Sequence, residues 1–314
     1  MEFAEVESDD SPHPVSQLGT FAPRRLRPGT ISRDRWNQGV IGPSMRFPDP
    51  FIRRLGDDIV IHLPAYYSDR ANHYGGGVEF VESGTVRLFR NGTLFGEADN
   101  PSRASFPVPP EASDYRLEVE SIRAALLELS TEIDLAWTFR SAADEPSALP
   151  LTAVSFAPTL DDRNGAPAGG PFAIPLALSR QPGSAAAPLR RLTVEASYDR
   201  GQTWRRALLV RFGDVALAII RHPGQAGTVS LRATAADRDG NTLEQTILDA
   251  YRLRERPSGE GEEARRHRPS PTPATPPSRT APRFVPGELS GRTKMAISTR
   301  SPIGAPRRAN VRWP

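Results

Sequence analysis

Two β-sandwiches in series, with almost no helix, are what the sequence predicts, and three observations carry that prediction. First, apolar residues recur at every second position over short runs. Leu192, Val194, Ala196 and Tyr198 alternate with Thr193, Glu195 and Ser197, and Val229, Leu231, Ala233 and Ala235 alternate with Ser230, Arg232 and Thr234. A period of two sends one phase to a buried face and the other to water, which is the signature of a half-buried strand. Second, turn residues separate the runs, at Asn91-Gly92, Asp199-Arg-Gly201 and Asp237-Arg-Asp-Gly-Asn241. Asp and Asn bond their own turn backbone there, and Gly accepts positive φ. Third, short strands at this spacing along 314 residues give two domains of about a hundred residues each, the size and rhythm of immunoglobulin- or fibronectin-like sandwiches.

Taken in order, residues 1–27 are polar, contain Pro and show no period, so this segment is expected to be disordered. The first sandwich is predicted over 28–147. Arg35-Trp-Asn-Gln-Gly-Val-Ile-Gly-Pro43 sets a Trp beside a short apolar run ending at Gly-Pro, an edge strand by its chemistry. Ile59, Ile61 and Leu63 alternate next, and Thr85 to Phe95 forms a hairpin about Asn91-Gly92. Tyr115, Leu117 and Val119, then Ile133, Leu135, Trp137 and Phe139, supply two further strands. Ser141–Pro150 reads as a linker with the domain boundary near Ala148, and the second sandwich is predicted over 148–254. In it, Phe172, Ile174, Leu176 and Leu178 make a strand that Pro175, lacking an N–H, places at an edge or bulge. Ile247, Tyr251 and Leu253 close the domain. From 255 to 314 the chain is a Pro- and Arg-rich basic tail, Ser270-Pro-Thr-Pro-Ala-Thr-Pro-Pro-Ser278 included, that cannot bury enough apolar surface to fold and is expected to be disordered.

Composition narrows the function classes. No apolar run approaches the roughly 18 residues of a membrane span, and the acidic start Met-Glu-Phe-Ala-Glu-Val-Glu-Ser-Asp-Asp is no secretion signal; with no export signal the cytoplasm is the default compartment. The absence of Cys removes disulfides, thiolate zinc sites and Cys nucleophiles. Of the 40 basic residues, Lys294 alone is Lys. Residues 264–314 hold eleven Lys/Arg against one Glu, leaving 29 basic and 36 acidic residues, a net −7, in residues 1–263. The basic tail lacks the interleaved aromatics of a stacking platform, which disfavours nucleic acid as a partner.

Several stretches in series carry a family resemblance: Arg35-Trp-Asn-x-Gly-Val-x-Gly-Pro43, Leu88-Phe-Arg-Asn-Gly92, Tyr115-Arg-Leu-Glu-Val119, Ala136-Trp-Thr-Phe-Arg140, Leu149-Pro-Leu-x-x-Val-x-Phe156, and Ser230-Leu-Arg-Ala through Tyr251-Arg-Leu253. In this order they resemble the C-terminal accessory β-domains of secreted subtilisin-like (S8 family) serine peptidases of actinobacteria, over about residues 26–254. The resemblance implies a pair of accessory sandwiches whose partner is a protein, such as a peptidase catalytic domain. It stops short of that domain. Neither a His-Gly-Thr-His-like nor a Gly-Thr-Ser-Met-like signature occurs, and only about 26 residues precede the matching region, so a separated C-terminal piece is expected.

Each candidate site has a plainer reading beside it. Ser197-Tyr-Asp-Arg-Gly-Gln-Thr-Trp204 fits the Asp-box pattern Ser-x-Asp-x-Gly-x-Thr-Trp, familiar from sialidase-type propellers; a single copy fixes a turn and is expected to bury Trp204 against it. Asp237, Asp239 and Asn241, and likewise Asp161, Asp162 and Asn164, offer oxygen ligands at calcium-like spacing, without an EF-hand's later bidentate Glu and where turns are wanted. A serine triad would have to draw on His62, His73 or His222, with no Gly-x-Ser-x-Gly turn in the chain; His62, on the polar phase of its strand, should be exposed. Tyr66, Tyr67 and Tyr74 are the one aromatic cluster suited to a carbohydrate. No catalytic, cofactor-binding or metal-ligating residue is therefore assigned, and no cofactor is expected. The predicted function is a non-catalytic interaction or stabilising module, with an accessory subunit acting in trans on a serine peptidase, or a carbohydrate-binding module, as alternatives.

Overall fold

The computed structural model describes residues 27–29, 31, 35–36, 38–46, 52–62, 83–101, 103–123 and 127–255 with their side chains, and the backbone of Phe3–Glu5, Pro14–Thr20, Tyr67–Ser68 and His73–Gly76. The fold is all-β. Its strands are β1 (Phe3–Glu5), β2 (Pro14–Thr20), β3 (Gly42–Pro43), β4 (Ile52–Leu55), β5 (Asp58–His62), β6 (Tyr67–Ser68), β7 (His73–Gly76), β8 (Ser83–Arg90), β9 (Thr93–Ala98), β10 (Arg103–Pro107), β11 (Ser113–Ile122) and β12 (Glu132–Ser141). They continue with β13 (Thr152–Phe156), β14 (Gly165–Pro167), β15 (Gly170–Arg180), β16 (Leu189–Ser197), β17 (Arg205–Arg206), β18 (Leu208–Phe212), β19 (Val215–His222), β20 (Gly227–Asp237) and β21 (Thr242–Arg254). Two short pieces of the N-terminal segment, β1 and β2, pair as strands, with β2 against β7. Polar segments can do this because a ladder satisfies backbone groups without needing an apolar face. The expectation of a disordered tail falls on residues outside the described ones.

The predicted alternation is observed strand by strand. Tyr115, Leu117 and Val119 on β11, Ile133, Leu135, Trp137 and Phe139 on β12, and Val229, Leu231, Ala233 and Ala235 on β20 are all buried. The β8–β9 hairpin turns at Asn91 and Gly92, both at positive φ, the geometry that an Asn-Gly hairpin turn requires. The β4, β5 and β10 sheet lies over the first half, and the sheet ordered β13, β15, β19, β18 lies over the second. One further sheet backs both: its order is β17, β16, β20, β21, β12, β11, β8, β9, so it runs across the boundary expected near Ala148. The join is an antiparallel ladder from Glu132↔Leu248 to Thr138↔Thr242, reinforced on the outer face where Arg116 donates to both Glu118 and Glu244.

One segment read as a linker, and the segment around the Gly-Pro edge strand, are both packed into the fold. In the expected linker 141–150, Ala148 and Leu149 are buried, Ala148 bridges to Arg53, and the Arg54 N–H donates to the Ser147 carbonyl. Residues 38–46 form a buried strap that crosses onto the second half. Its N–H groups at Gly39, Ile41 and Met45 donate to Asn164 Oδ1 (2.9 Å), Ser130 Oγ (3.2 Å) and Ser179 Oγ (3.1 Å). At Gly42 the strap passes close to the core: a Cβ there would come within 2.9 Å of the end of the Ile247 side chain, which would have to shift. The Gly-Pro edge strand is thus present as β3, at the edge of the β1, β2, β7, β6 sheet.

Pro175 corrects an expectation. It sits in β15, an inner strand between β13 and β19. Its carbonyl points to the β13 side, where it accepts from the Ala157 N–H at 2.7 Å, just past the end of the β13 ladder at Phe156↔Leu176. The missing N–H faces the same side, at the end of the β13 ladder, so the ladder with β19 keeps its bonds and at most one terminal bond is forgone.

Two buried glutamines act as stand-in strands. Gln245, on the apolar phase of β21, accepts from Val154 N–H (3.0 Å) and donates to Val154 C=O (2.7 Å), satisfying the free edge of β13. Gln181 does the same for Ile52, accepting at 3.0 Å and donating at 2.7 Å, and its second N–H reaches the Leu149 carbonyl at 2.9 Å. A primary amide presents one acceptor and two donors in the plane of a peptide unit, which is why it can replace a neighbouring strand.

Candidate functional site

The outer face of the long sheet gathers acid. Strand pairing sets Glu120 opposite Asp134 and Asp134 opposite Thr246, with Glu132 two residues along β12. Carboxylate oxygens of Glu120, Glu132 and Asp134 lie within 4.8 Å of one another in a concave stretch that Thr85, Arg87 and Arg116 also line. These three are the described residues best able to hold a hard divalent cation. Burial, followed by the charges of Glu132 and Glu120, pushes the Asp134 carboxyl up to about 7. Neighbouring strands from β8 to β20 bring Thr85, which donates to Glu120 at 3.1 Å, together with Thr246 and Arg232.

A pH dependence follows. The folded-state value lies above the ordinary 3.8, so the contribution of Asp134 to stability is full below pH 4 and is lost as pH rises towards 7. Asp134→Asn is expected to raise unfolding free energy by roughly 1–2 kcal/mol at pH 8, after allowance for solvent screening, and by almost nothing at pH 4. Urea titrations at the two pH values check this; an equal effect at both would remove the electrostatic explanation.

The Asp-box turn is built as a closed set of hydrogen bonds. Ser197 Oγ donates to Asp199 Oδ1 (2.6 Å) and accepts from Gly201 N–H (2.8 Å), while Thr203 donates to Asp199 through both its N–H (2.8 Å) and its hydroxyl. These donors hold the Asp199 carboxyl down at about 2. Arg200 and Gly201 take the positive φ of the turn. Trp204 is half-buried, which corrects the expectation that it is a core residue: it packs beside Gly201, and the Arg232 guanidinium lies 4.4 Å from its ring centroid. The turn ends at the sheet's margin, where the edge strand β17 is only two residues long. Trp204→Ala is accordingly expected to lower stability by about 1–2 kcal/mol, from partial burial plus one cation–π contact. A denaturant titration showing a loss above about 3 kcal/mol would mean that the ring is a core element after all.

The other candidate loops close in the same way. Asp237 is buried, accepting at Oδ1 from the Asp239 and Asn241 N–H groups (2.9 Å each) and at Oδ2 from Asn241 Nδ2 (2.7 Å). Asp161 accepts from the N–H groups of Arg163 (2.8 Å) and Gly165 (2.9 Å) and pairs with Arg254; Asp162 pairs with Arg35, and Asn164 holds the strap. Asp161 and Asp237 are thus turn acceptors facing N–H donors rather than ligands facing a common centre.

His222 is a core histidine. Its Nδ1 lies 2.9 Å from the Pro167 carbonyl, which can only accept, so Nδ1 carries the proton and Nε2 accepts from the Tyr251 hydroxyl at 2.9 Å. The ring stacks on Phe172 at 4.5 Å, and burial lowers its pKa. Tyr198 and Tyr251 share this cluster, and burial raises both, Tyr198 to about 12. His62 is exposed, as its strand phase predicted. The side chains of His73, Tyr67 and Tyr74, and all of Tyr66, lie outside the described residues. Among the described residues no Ser–His–carboxylate set is assembled, and no helix is long and apolar enough to cross a membrane.

Sequence reasoning missed Asp249. It sits in a bulge of β21 at φ 50°, is buried, and accepts from Thr131 Oγ1 (2.8 Å), Thr228 Oγ1 (2.7 Å) and Arg200. One carboxylate thus ties the first half, β20 and the Asp-box turn together. Its only sequence signal is an acidic residue inside an apolar strand.

No protein-family model and no curated protein matches the chain. Among solved structures, the chain is similar to the fibronectin(III)-like modules of Clostridium thermocellum CbhA, at 11% identity over 67% of this chain and 91% of that one, with a TM-score of 0.23. It is also similar to a chimeric titin Z1Z2-Z1Z2 tandem functionalised with a GRGDS peptide from fibronectin, at 13% identity over 64% and 90%, with a TM-score of 0.22. At such TM-scores neither likeness bears on partner or activity, and the sandwich fold rests on the strand pairing itself.

Proposed function

We propose that the chain is a non-catalytic accessory module of the kind it resembles, a pair of sandwiches that docks on a subtilisin-like serine peptidase in trans and stabilises it. The observation that supports this reading is that its chemically capable side chains are committed to structure. Asp199, Asp237 and Asp161 hold turns, Asp249 joins the halves, and His222 has both ring nitrogens engaged. Serine acyl transfer needs an oriented His free to take the hydroxyl proton, and losing the nucleophile or its base costs roughly six orders of magnitude in rate. The full chain, incubated with a fluorophosphonate probe and unfolded casein, is therefore expected to show neither covalent labelling nor cleavage. Adding it to a separately expressed subtilisin-like catalytic domain is expected to raise that domain's activity or melting temperature. Labelling of one Ser, abolished by His62→Ala, His73→Ala or His222→Ala, would replace the non-catalytic reading with an enzymatic one. A catalytic domain indifferent to the chain would remove the accessory role.

A further inference from the structure

The sheet of β13, β15, β19 and β18 has an outer face that does not look like a surface. Strand register places Ala173, Ile219 and Leu208 in one row, Pro175, Leu217 and Val210 in the next, and Ala177, Val215 and Phe212 in a third. All nine are apolar, and none of their side chains lies in the buried class that the inner phase (Ile174, Leu176, Ala216, Ala218) occupies. Leu208, Val210, Phe212 and Val215 are 66%, 41%, 72% and 55% exposed. The long sheet, by contrast, carries charged or hydroxyl side chains on its outer face, among them Glu120, Asp134, Thr246, Arg232 and Glu195. Contiguous apolar patches of this kind mark interaction sites. The patch is also held rigid: Arg180 clamps Asp214 in the β18–β19 turn through two bonds of 2.7 Å, and Arg211 donates to the Leu189 carbonyl.

We propose that this face is an interface between two copies of the chain, related by a two-fold axis running along β19. The relief of the face supports this occupant. The β15 column is low (Ala173, Pro175, Ala177), the β19 column intermediate (Ile219, Leu217, Val215), and the β18 column high (Leu208, Val210, Phe212). A two-fold axis parallel to β19 sets each copy's high column over the other's low one, so that Leu208 meets the second copy's Ala173 and Phe212 its Ala177. Leu217 meets itself. An isologous contact requires such self-complementarity; the nine side chains carry no charge, and Arg221, one row beyond Ile219 on β19, meets its own copy only at the exposed margin of the footprint. Three strands by three alternate positions make a footprint of about 14 Å by 20 Å. That is small beside the roughly 800 Å² per partner of a standard stable interface, so the pair is expected to exchange at micromolar concentration. This inference does not depend on the peptidase reading and is tested without a peptidase.

Sedimentation of the full chain from about 1 to 100 µM is expected to show mass rising from monomer towards dimer, and Phe212→Glu to weaken the dimer more than tenfold with an unchanged melting temperature. A wild-type chain that stays monomeric at the upper concentration overturns the proposal, as does a dimer indifferent to Phe212→Glu. The axis is tested separately, because the chain contains no cysteine. A short bismaleimide is expected to cross-link Leu217→Cys to itself, and a mixture of Ala173→Cys with Leu208→Cys, faster than Leu208→Cys alone, whose two copies stand about 10 Å apart laterally. Self-linking of Leu208→Cys as fast as that of Leu217→Cys would overturn the arrangement. Protection of the face by an added catalytic domain, in a wild-type chain that remains monomeric, would assign it to that partner instead.

Discussion

Gln181→Leu is expected to lower the unfolding free energy by about 3–4 kcal/mol, more than most substitutions of a single polar side chain. Leucine fills the space, so the loss isolates hydrogen bonding. The Ile52 N–H is left buried without its acceptor, the Leu149 carbonyl loses one of two donors and keeps the Leu151 N–H at 2.8 Å, and the Ile52 carbonyl keeps only a long 3.5 Å bond from Leu149 N–H. Each buried backbone group stripped of its partner costs roughly 1–3 kcal/mol. Gln181→Glu separates donor from acceptor: it keeps an oxygen for Ile52 N–H and regains one donor only when protonated, so its deficit should shrink as pH falls. Denaturant titrations of both variants check the pair of effects. A loss under about 1 kcal/mol for the leucine variant would mean that water enters and replaces the amide.

Asp249→Ala is expected to cost about 3–5 kcal/mol, the range for removing one member of a buried charged network. Thr131 and Thr228 lose their acceptor, the Arg200 guanidinium loses its counter-charge, and alanine must occupy a left-handed φ of 50°. Asp249→Asn keeps one oxygen and a residue tolerant of that conformation, and should lose about half as much. If the two variants proved equally destabilised, the charge rather than the connectivity would be the cause, and high salt would then narrow their distance from wild type.

What could be read from the sequence, and what could not, divides along the reach of the interactions. The alternation of Tyr115, Leu117 and Val119 was legible because each of those strands buries one phase, and Asn91-Gly92 because turn chemistry is local. Pairing of β12 with β21 left no local trace. Residues 38–46 are buried through backbone bonds to Asn164, Ser130 and Ser179, which no hydropathy pattern reports. Gln181, Gln245 and Asp249 look like surface residues until a second segment supplies their partners. Trp204 was misplaced because the Asp-box pattern specifies its turn and says nothing of what lies beyond the ring. The outward phase of Leu208, Val210 and Phe212 is not marked as such in the sequence, since alternation identifies two phases without telling which one meets the core.

The sheet shared by both halves also governs the order in which the chain can mature. During synthesis, β12 emerges with β11 already beside it, yet its other edge waits for β21, and Thr138 and Thr242 are 104 residues apart. At about 5–20 residues per second a ribosome takes roughly 5–20 s to deliver the missing strand. For that interval a strand with Trp137 at its centre presents an unpaired edge, the template on which nascent chains mispair with one another. Non-local pairing of this kind also slows refolding. The first half is therefore a poor candidate for independent expression, and nascent chains stalled between β12 and β21 should be the ones that holdase chaperones capture.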